Sequence, residues 1–154
     1  MLVRIFHGTL DVSAHGNSAY VDARRYLCRD SVERSIFAKL EHAPHHIHLR
    51  LNARHDDSYD PNRQTIHWDP YSALRTTSGG RQSPALGLGH EADHATVASM
   101  IREADIVRRI PTYDNFEERR VILGSERHTA RTLHEAIRHD HRGSSYHVET
   151  PTGR

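Results

Sequence analysis

The residues best placed to do chemistry are His90, Glu91 and His94, which spell H-E-x-x-H inside "SPALGLGHEADHATVASM" (83–100). On an α-helix, positions four apart share a face and lie one turn apart, so both imidazoles can meet one zinc ion. Glu91 follows the first histidine, where its carboxylate can reach the metal's water without binding the metal. Catalytic zinc takes three protein ligands and keeps a fourth position for that water. The water's pKa falls to about 7, and Glu91 can take its proton as it attacks a carbonyl. The same glutamate can then pass the proton to the leaving amine. The chemistry is peptide-bond hydrolysis with one zinc per chain.

The chain holds fifteen histidines and nine glutamates in 154 residues. At that composition a random H-E-x-x-H arises roughly one time in twelve, so the motif needs support from its context. A third ligand is available in "YDNFEERRVILGSE", where Glu117 falls 117 − 94 = 23 residues after His94. Asn115 with Glu118 three residues later resembles a capping box. That would occupy Glu118 at the helix start and leave Glu117 the freer candidate, with the choice between the two glutamates open. The bland alternative is that the acidic pair only compensates a helix dipole. Asp93 stands inside the motif, where it must be solvated, paired with a base, or support a ligand histidine.

The elements that must position these groups can be traced by pattern. "LVRIF" (2–6) alternates as a strand. "VDARRYLCRDSVERSIFAKLEHA" (21–43) reads as one helix, stopped before Pro44. "HIHLRLN" (46–52) and "TIHWDP" (65–70) read as strands of an antiparallel hairpin, with turn chemistry at 56–64. "YSALRTTSGGRQ" (71–82) reads as a flexible loop. Ser83 and Pro84 then start a helix over about 84–100, in which Gly87 and Gly89 are costly unless something packs close. A further helical region spans about 113–140, and the tail 144–154 reads as irregular and mobile.

Composition bounds the whole. The length fits one domain, 1–154, with a small core, since 36% of residues are hydrophobic. Net charge is +1 with His neutral and no basic stripe is present, which does not point to nucleic acid or membrane. No run approaches the roughly 18 apolar residues of a membrane span. Cys28 is alone, so no internal disulfide forms. Many histidines would protonate below about pH 6.5 and turn the surface cationic. His42, His45, His46 and His48, and His134, His139 and His141, leave open a second reading: a non-catalytic, His-rich metal-binding or interaction domain.

"SPALGLGHEADHA", followed by "NFEERRVILGSERHTARTLHEAIRHDHRG", resembles the NleD-like secreted effector zinc metallopeptidases and related bacterial toxin domains. Phe116-Glu117-Glu118 is also similar to the third-ligand segment of clostridial neurotoxin light chains. The likeness covers about residues 65–143. It implies an α+β zincin-like domain, with a small antiparallel or mixed sheet on the H-E-x-x-H helix and a C-terminal helix. It further implies His90, His94 and Glu117 as ligands and Glu91 as the base. The family's oxyanion-binding residue near the C-terminus leaves three candidates: Arg138, placed first because it ends the matching helix, His141 and Tyr146. In zincins an edge strand beside the active-site helix pairs with substrate, which suggests 65–69. The expected partner is a protein or peptide substrate, such as a signalling protein of a target cell. A monomer is expected, exported without a cleavable signal peptide.

Overall fold

A hairpin opens the chain, with β1 (Arg4–His7) and β2 (Leu10–Ser13) pairing antiparallel. The structure, a computed structural model, describes residues 3–154; Leu2, expected in the first strand, lies outside them. The helical stretch that follows is two helices rather than one, α1 (Asn17–Leu27) and α2 (Ser31–Glu41). Asp30 makes the break: its carboxylate accepts from Val32 N at 2.8 Å and Glu33 N at 3.1 Å, capping α2. The apolar stripe survives because Leu27, Ile36, Phe37 and Leu40 still share one core.

Strand β3 (Ile47–Leu51) runs parallel to β2 and also parallel to β5 (Thr65–Trp68). The expected antiparallel hairpin is thus corrected. A third strand, β4 (Ser58–Asp60), lies in the connection and pairs antiparallel with the far side of β5. This reverses the chain once more and leaves β3 and β5 pointing the same way. The mixed sheet has the order β1-β2-β3-β5-β4, so β5 is interior and β4 is the edge. Trp68, fully buried, donates its indole N–H to Pro84 O at 2.8 Å and so ties β5 to the next helix.

The stretch read as a loop contains two strands, β6 (Ser72–Thr76) and β7 (Arg81–Gln82), joined through Gly79 at φ 89°. The helix α3 (Pro84–Val97) begins where Ser83 accepts from Leu86 N at 3.3 Å, with Pro84 in its first turn. Nearly every residue from Pro84 to Ala95 is buried. Such a helix has no solvent face, so its polar side chains need partners inside the protein. Its glycines answer to that crowding. A Cβ on Gly87 would lie 2.5 Å from Asp57 Oδ2, and one on Gly89 would lie 2.9 Å from both Glu33 carboxylate oxygens.

After a short helix, α4 (Glu103–Val107), the C-terminal helical region is broken up. It runs as α5 (Phe116–Val121), a wide turn at Ile122–Glu126 kinked at Gly124, and α6 (Arg127–Thr132). It ends before the expected residue 140. The tail is not irregular either: β8 (Gly143–His147) pairs antiparallel with β6 in a second sheet of order β7-β6-β8. Pro151 O then accepts from Ala85 N at 2.8 Å, docking the chain's end on the start of α3. The result is a small single-domain α+β protein with α3 at its centre. No helix among the described residues is long and apolar enough to cross a membrane.

Candidate metal centre

Helix α3 brings His90 and His94 together, with ring centroids 4.7 Å apart. Their Nε2 atoms are 3.0 Å apart. Helix α5 supplies a carboxylate to the same point. Glu118 Oε2 lies 3.0 Å from His90 Nε2, and Glu118 Oε1 lies 3.3 Å from His94 Nε2. Among the described residues, this is the one group whose donor atoms could jointly hold a metal ion. The other histidines form no such group; His48 pairs with Asp11, while His42 and His46 bond backbone carbonyls.

The donor set fits a metal. Ligands at 2.0–2.1 Å in a tetrahedron stand about 3.3 Å from one another, close to the spacing here. The far nitrogen of each ring is also committed. His90 Nδ1 donates to Glu126 Oε2 at 2.7 Å, and His94 Nδ1 donates to Glu117 Oε1 at 2.9 Å. When both Nδ1 atoms carry the proton, both Nε2 lone pairs face the same point. A cation there relieves that opposition, and the carboxylate partners are those that metal-binding histidines commonly have.

The group whose donor atoms could hold a metal thus includes Glu118, where the sequence favoured Glu117. Asn115 does cap α5, accepting from Glu118 N at 2.9 Å, but that bond uses the backbone and leaves the Glu118 side chain free. Glu117 is occupied instead. Arg120 donates to it through Nε at 2.9 Å and Nη2 at 2.7 Å. Arg120 also reaches Asp93, at 3.2 and 2.9 Å, and Ser125 donates to Asp93 as well. Asp93 is thus the paired carboxylate that its odd position required. The Glu117–Arg120 spacing of three was a visible helix-face signal that Glu117 already had a partner.

Glu126, to which the sequence pattern assigns no role, is the hub behind His90. It accepts from Gln82 Nε2 at 2.9 Å, and from Arg138 through Nε at 3.1 Å and Nη2 at 2.6 Å. Burial opposes its charge, but His90 and Arg138 hold its carboxyl down to about 2. Burial likewise opposes Glu117, which His94 and Arg120 hold at about 2. For Glu118 the three neighbouring imidazoles overcome burial and place its carboxyl far below the usual range. Burial disfavours a charged His90, but Glu118 and Glu126 outweigh it and push the imidazole up to about 10.

That last shift sets a pH dependence. Metal needs the neutral ring, whereas the metal-free ring holds a proton until the pH passes its raised pKa. Affinity for zinc should therefore climb as pH rises through 7 and level off only toward about 10. Calorimetry at pH 7 in buffers of different ionisation enthalpy should show at least about one proton released per zinc, since His94 is also raised by Glu117 and Glu118 against burial. An affinity flat from pH 6 to 9 would contradict the assigned geometry.

Glu91 is buried and has no hydrogen-bond partner among the described residues. Burial raises its carboxyl pKa, Glu118 adds to this, and the two imidazoles oppose it. Two cavities meet at this residue. One, of about 200 Å³, is largely polar and reaches Ser72, Gln82, Ser145 and Arg138. The other, of about 280 Å³, is walled by Tyr59, Pro61, Ala98, Ile101 and Ile106. Edge strand β4 borders the second, so β4 and not 65–69 offers an unpaired edge beside the centre.

Of the three C-terminal candidates, two arrive. His141 Nε2 lies 3.2 Å from Glu118 Oε2, and its side chain is 41% exposed at the mouth. Arg138 stands one layer deeper, on Glu126, in irregular chain rather than at a helix end. Tyr146 is not in the site. Alternation along β8 puts Ser145 on the cavity wall and Tyr146 on the other face, beneath the Arg75 and Arg81 guanidinium groups. Compared with protein families, curated proteins and solved structures, this chain matches nothing.

Proposed function

We propose that the protein is a zinc-dependent endopeptidase of zincin-like architecture, allied to the NleD-like effectors, that acts on proteins of a target cell. The observation that carries this reading is the convergence of His90, His94 and Glu118 beside an unpartnered, buried Glu91 where two cavities meet. Zinc bound there supplies Lewis acidity, which acidifies water and polarises a carbonyl. The chain's own residues do the rest. His90 and His94 bind through Nε2 while Glu126 and Glu117 fix both rings through Nδ1. Glu91 accepts the attacking water's proton on its carboxylate and returns it to the leaving nitrogen. Burial strengthens it as a base by raising its proton affinity.

His141, at the open side of Glu118, is the group assigned to donate an N–H to the developing oxyanion. Arg138 acts through Glu126 and the His90 ring rather than on substrate. An extended peptide can pair with the free edge of β4, with side chains alternating into the cavity walls. Stripping metal with a chelator should abolish cleavage of an unfolded protein substrate, and one equivalent of zinc should restore it. Undiminished cleavage after chelation would refute the reading. Action as a secreted effector is part of the proposal, and retention of the protein in its producer during target-cell contact would remove that part.

A further inference from the structure

Three residues line both cavities: Glu91, His141 and Asp57. The first two have roles in the peptidase reading. Asp57 has none, yet the loop that carries it is built with care. Asn52 Nδ2 donates to Asp56 O at 2.7 Å, and Arg54 N donates to Asn52 Oδ1 at 2.9 Å. His55, in the left-handed region at φ 56°, donates its N–H to Asp69 Oδ2 at 3.1 Å. Asp69 N in turn donates to Asp57 Oδ1 at 2.8 Å. Left-handed backbone at a non-glycine residue costs free energy, so such a loop persists where its neighbours over-determine it.

One oxygen of Asp57 is thereby anchored. The other, Oδ2, has no donor among the described residues and stands against Gly87, whose missing Cβ makes its room. Gly87 lies one helical turn before Glu91, on the same face of α3. The other charged groups on the polar cavity's wall are answered from within. Glu126 is held by Arg138, Gln82 and His90, and His141 faces Glu118. His55 Nδ1 meets Ser72 Oγ at 2.8 Å. Apart from Glu91, to which the proposed chemistry gives a role, Asp57 is the carboxylate on this wall that forms no ion pair among the described residues. Burial, helped by the charges of Glu91 and Asp69, pushes its carboxyl up to about 8 against the Asp69 N–H bond and the more distant His90. An incoming cation would reverse that penalty.

We propose that Asp57 is a specificity-determining residue: it receives the ammonium or guanidinium group of a substrate lysine or arginine close to the scissile bond. This rests on the peptidase reading above. Buried polar groups discriminate strongly, because a ligand lacking the partner leaves them unpaired.

The test uses the zinc-loaded full chain carrying Glu91→Gln, and fluorescent peptides alike except at one position. That position is walked along the peptide and filled by Lys, Arg, norleucine or Glu. At one position, Lys and Arg should bind at least about tenfold tighter than norleucine, with Glu weakest. Adding Asp57→Asn, which keeps the Oδ1 acceptor for Asp69 N, should bring the Lys-to-norleucine ratio toward one at an unchanged melting temperature. Equal binding of Lys and norleucine at every position would overturn the proposal, as would a ratio indifferent to Asp57→Asn. Wild-type cleavage of the same peptides separates the two ideas. Lys-selective binding without any cleavage would sink the peptidase reading and leave the Asp57 site standing. Cleavage blind to Lys would do the reverse.

Discussion

Glu91→Gln should lower kcat/KM for peptide hydrolysis by at least about three orders of magnitude, equivalent to about 4 kcal/mol of lost transition-state stabilisation. The substitution keeps the shape of the side chain and removes only its ability to take and return a proton. Zinc content should stay at one per chain, because the three donors belong to His90, His94 and Glu118. Stability should not fall, since burial already disfavours a charged group at this position. The combination matters: folded, metal-loaded and inactive. A variant that cleaves as well as the wild type would remove Glu91 from the mechanism. One that loses zinc would place Glu91 among the ligands instead.

Glu118→Ala and Glu117→Ala should part company, although the two residues are neighbours on one helix. Removing Glu118 takes away one of the three donors that could hold the metal. If apparent structural-zinc affinities of 10–16 kcal/mol are shared over four ligands, that loss is about 3 kcal/mol or more, upward of about a hundredfold in affinity. Removing Glu117 leaves the ligand set complete and frees the His94 ring and Arg120, an outer-layer loss worth about 10–100-fold. Because these ranges meet, affinity alone does not decide. The absorption spectrum of the cobalt(II)-substituted protein does. It should be unchanged in Glu117→Ala and altered in Glu118→Ala, and the opposite pattern would return the third-ligand role to Glu117.

The candidate centre was largely legible in the sequence because one helix carries most of it. Positions four apart on a helix must share a face, so the pairing of His90 with His94 follows from helix geometry alone. The expectation that Gly87 and Gly89 needed something packed close holds: each abuts a carboxylate, Asp57 and Glu33. The capping argument did not single out Glu118, because the Asn115 cap engages only the Glu118 backbone N–H and leaves the Glu118 side chain free to join the imidazole pair. Asp57 left no local trace. It comes from a loop between two strands, and its place over α3 depends on Asp69 twelve residues later.

The fold divides the same way. Helices with a capping residue and a single stripe were readable, but the break at Asp30 was not: the stripe runs on across it, and one helix over 21–43 was expected where two form. Strand direction was not. Whether β5 pairs parallel or antiparallel with β3 depends on β4, three residues whose pairing partner lies outside their own segment. The tail depended on β6, some seventy residues earlier, for its strand pairing.

By itself, then, the order of residues determined the local half of this protein: the central helix, the two imidazoles it presents, the buried glutamate between them, and the acidic start of a later helix. The tertiary structure decided which acid turns inward, which cation answers Asp93, and which carboxylate is left over the cleft. The reason is physical. A helix or turn is settled by interactions a few residues apart, whereas the choice among equally suitable carboxylates is settled by burial and by neighbours that the chain brings in from far away.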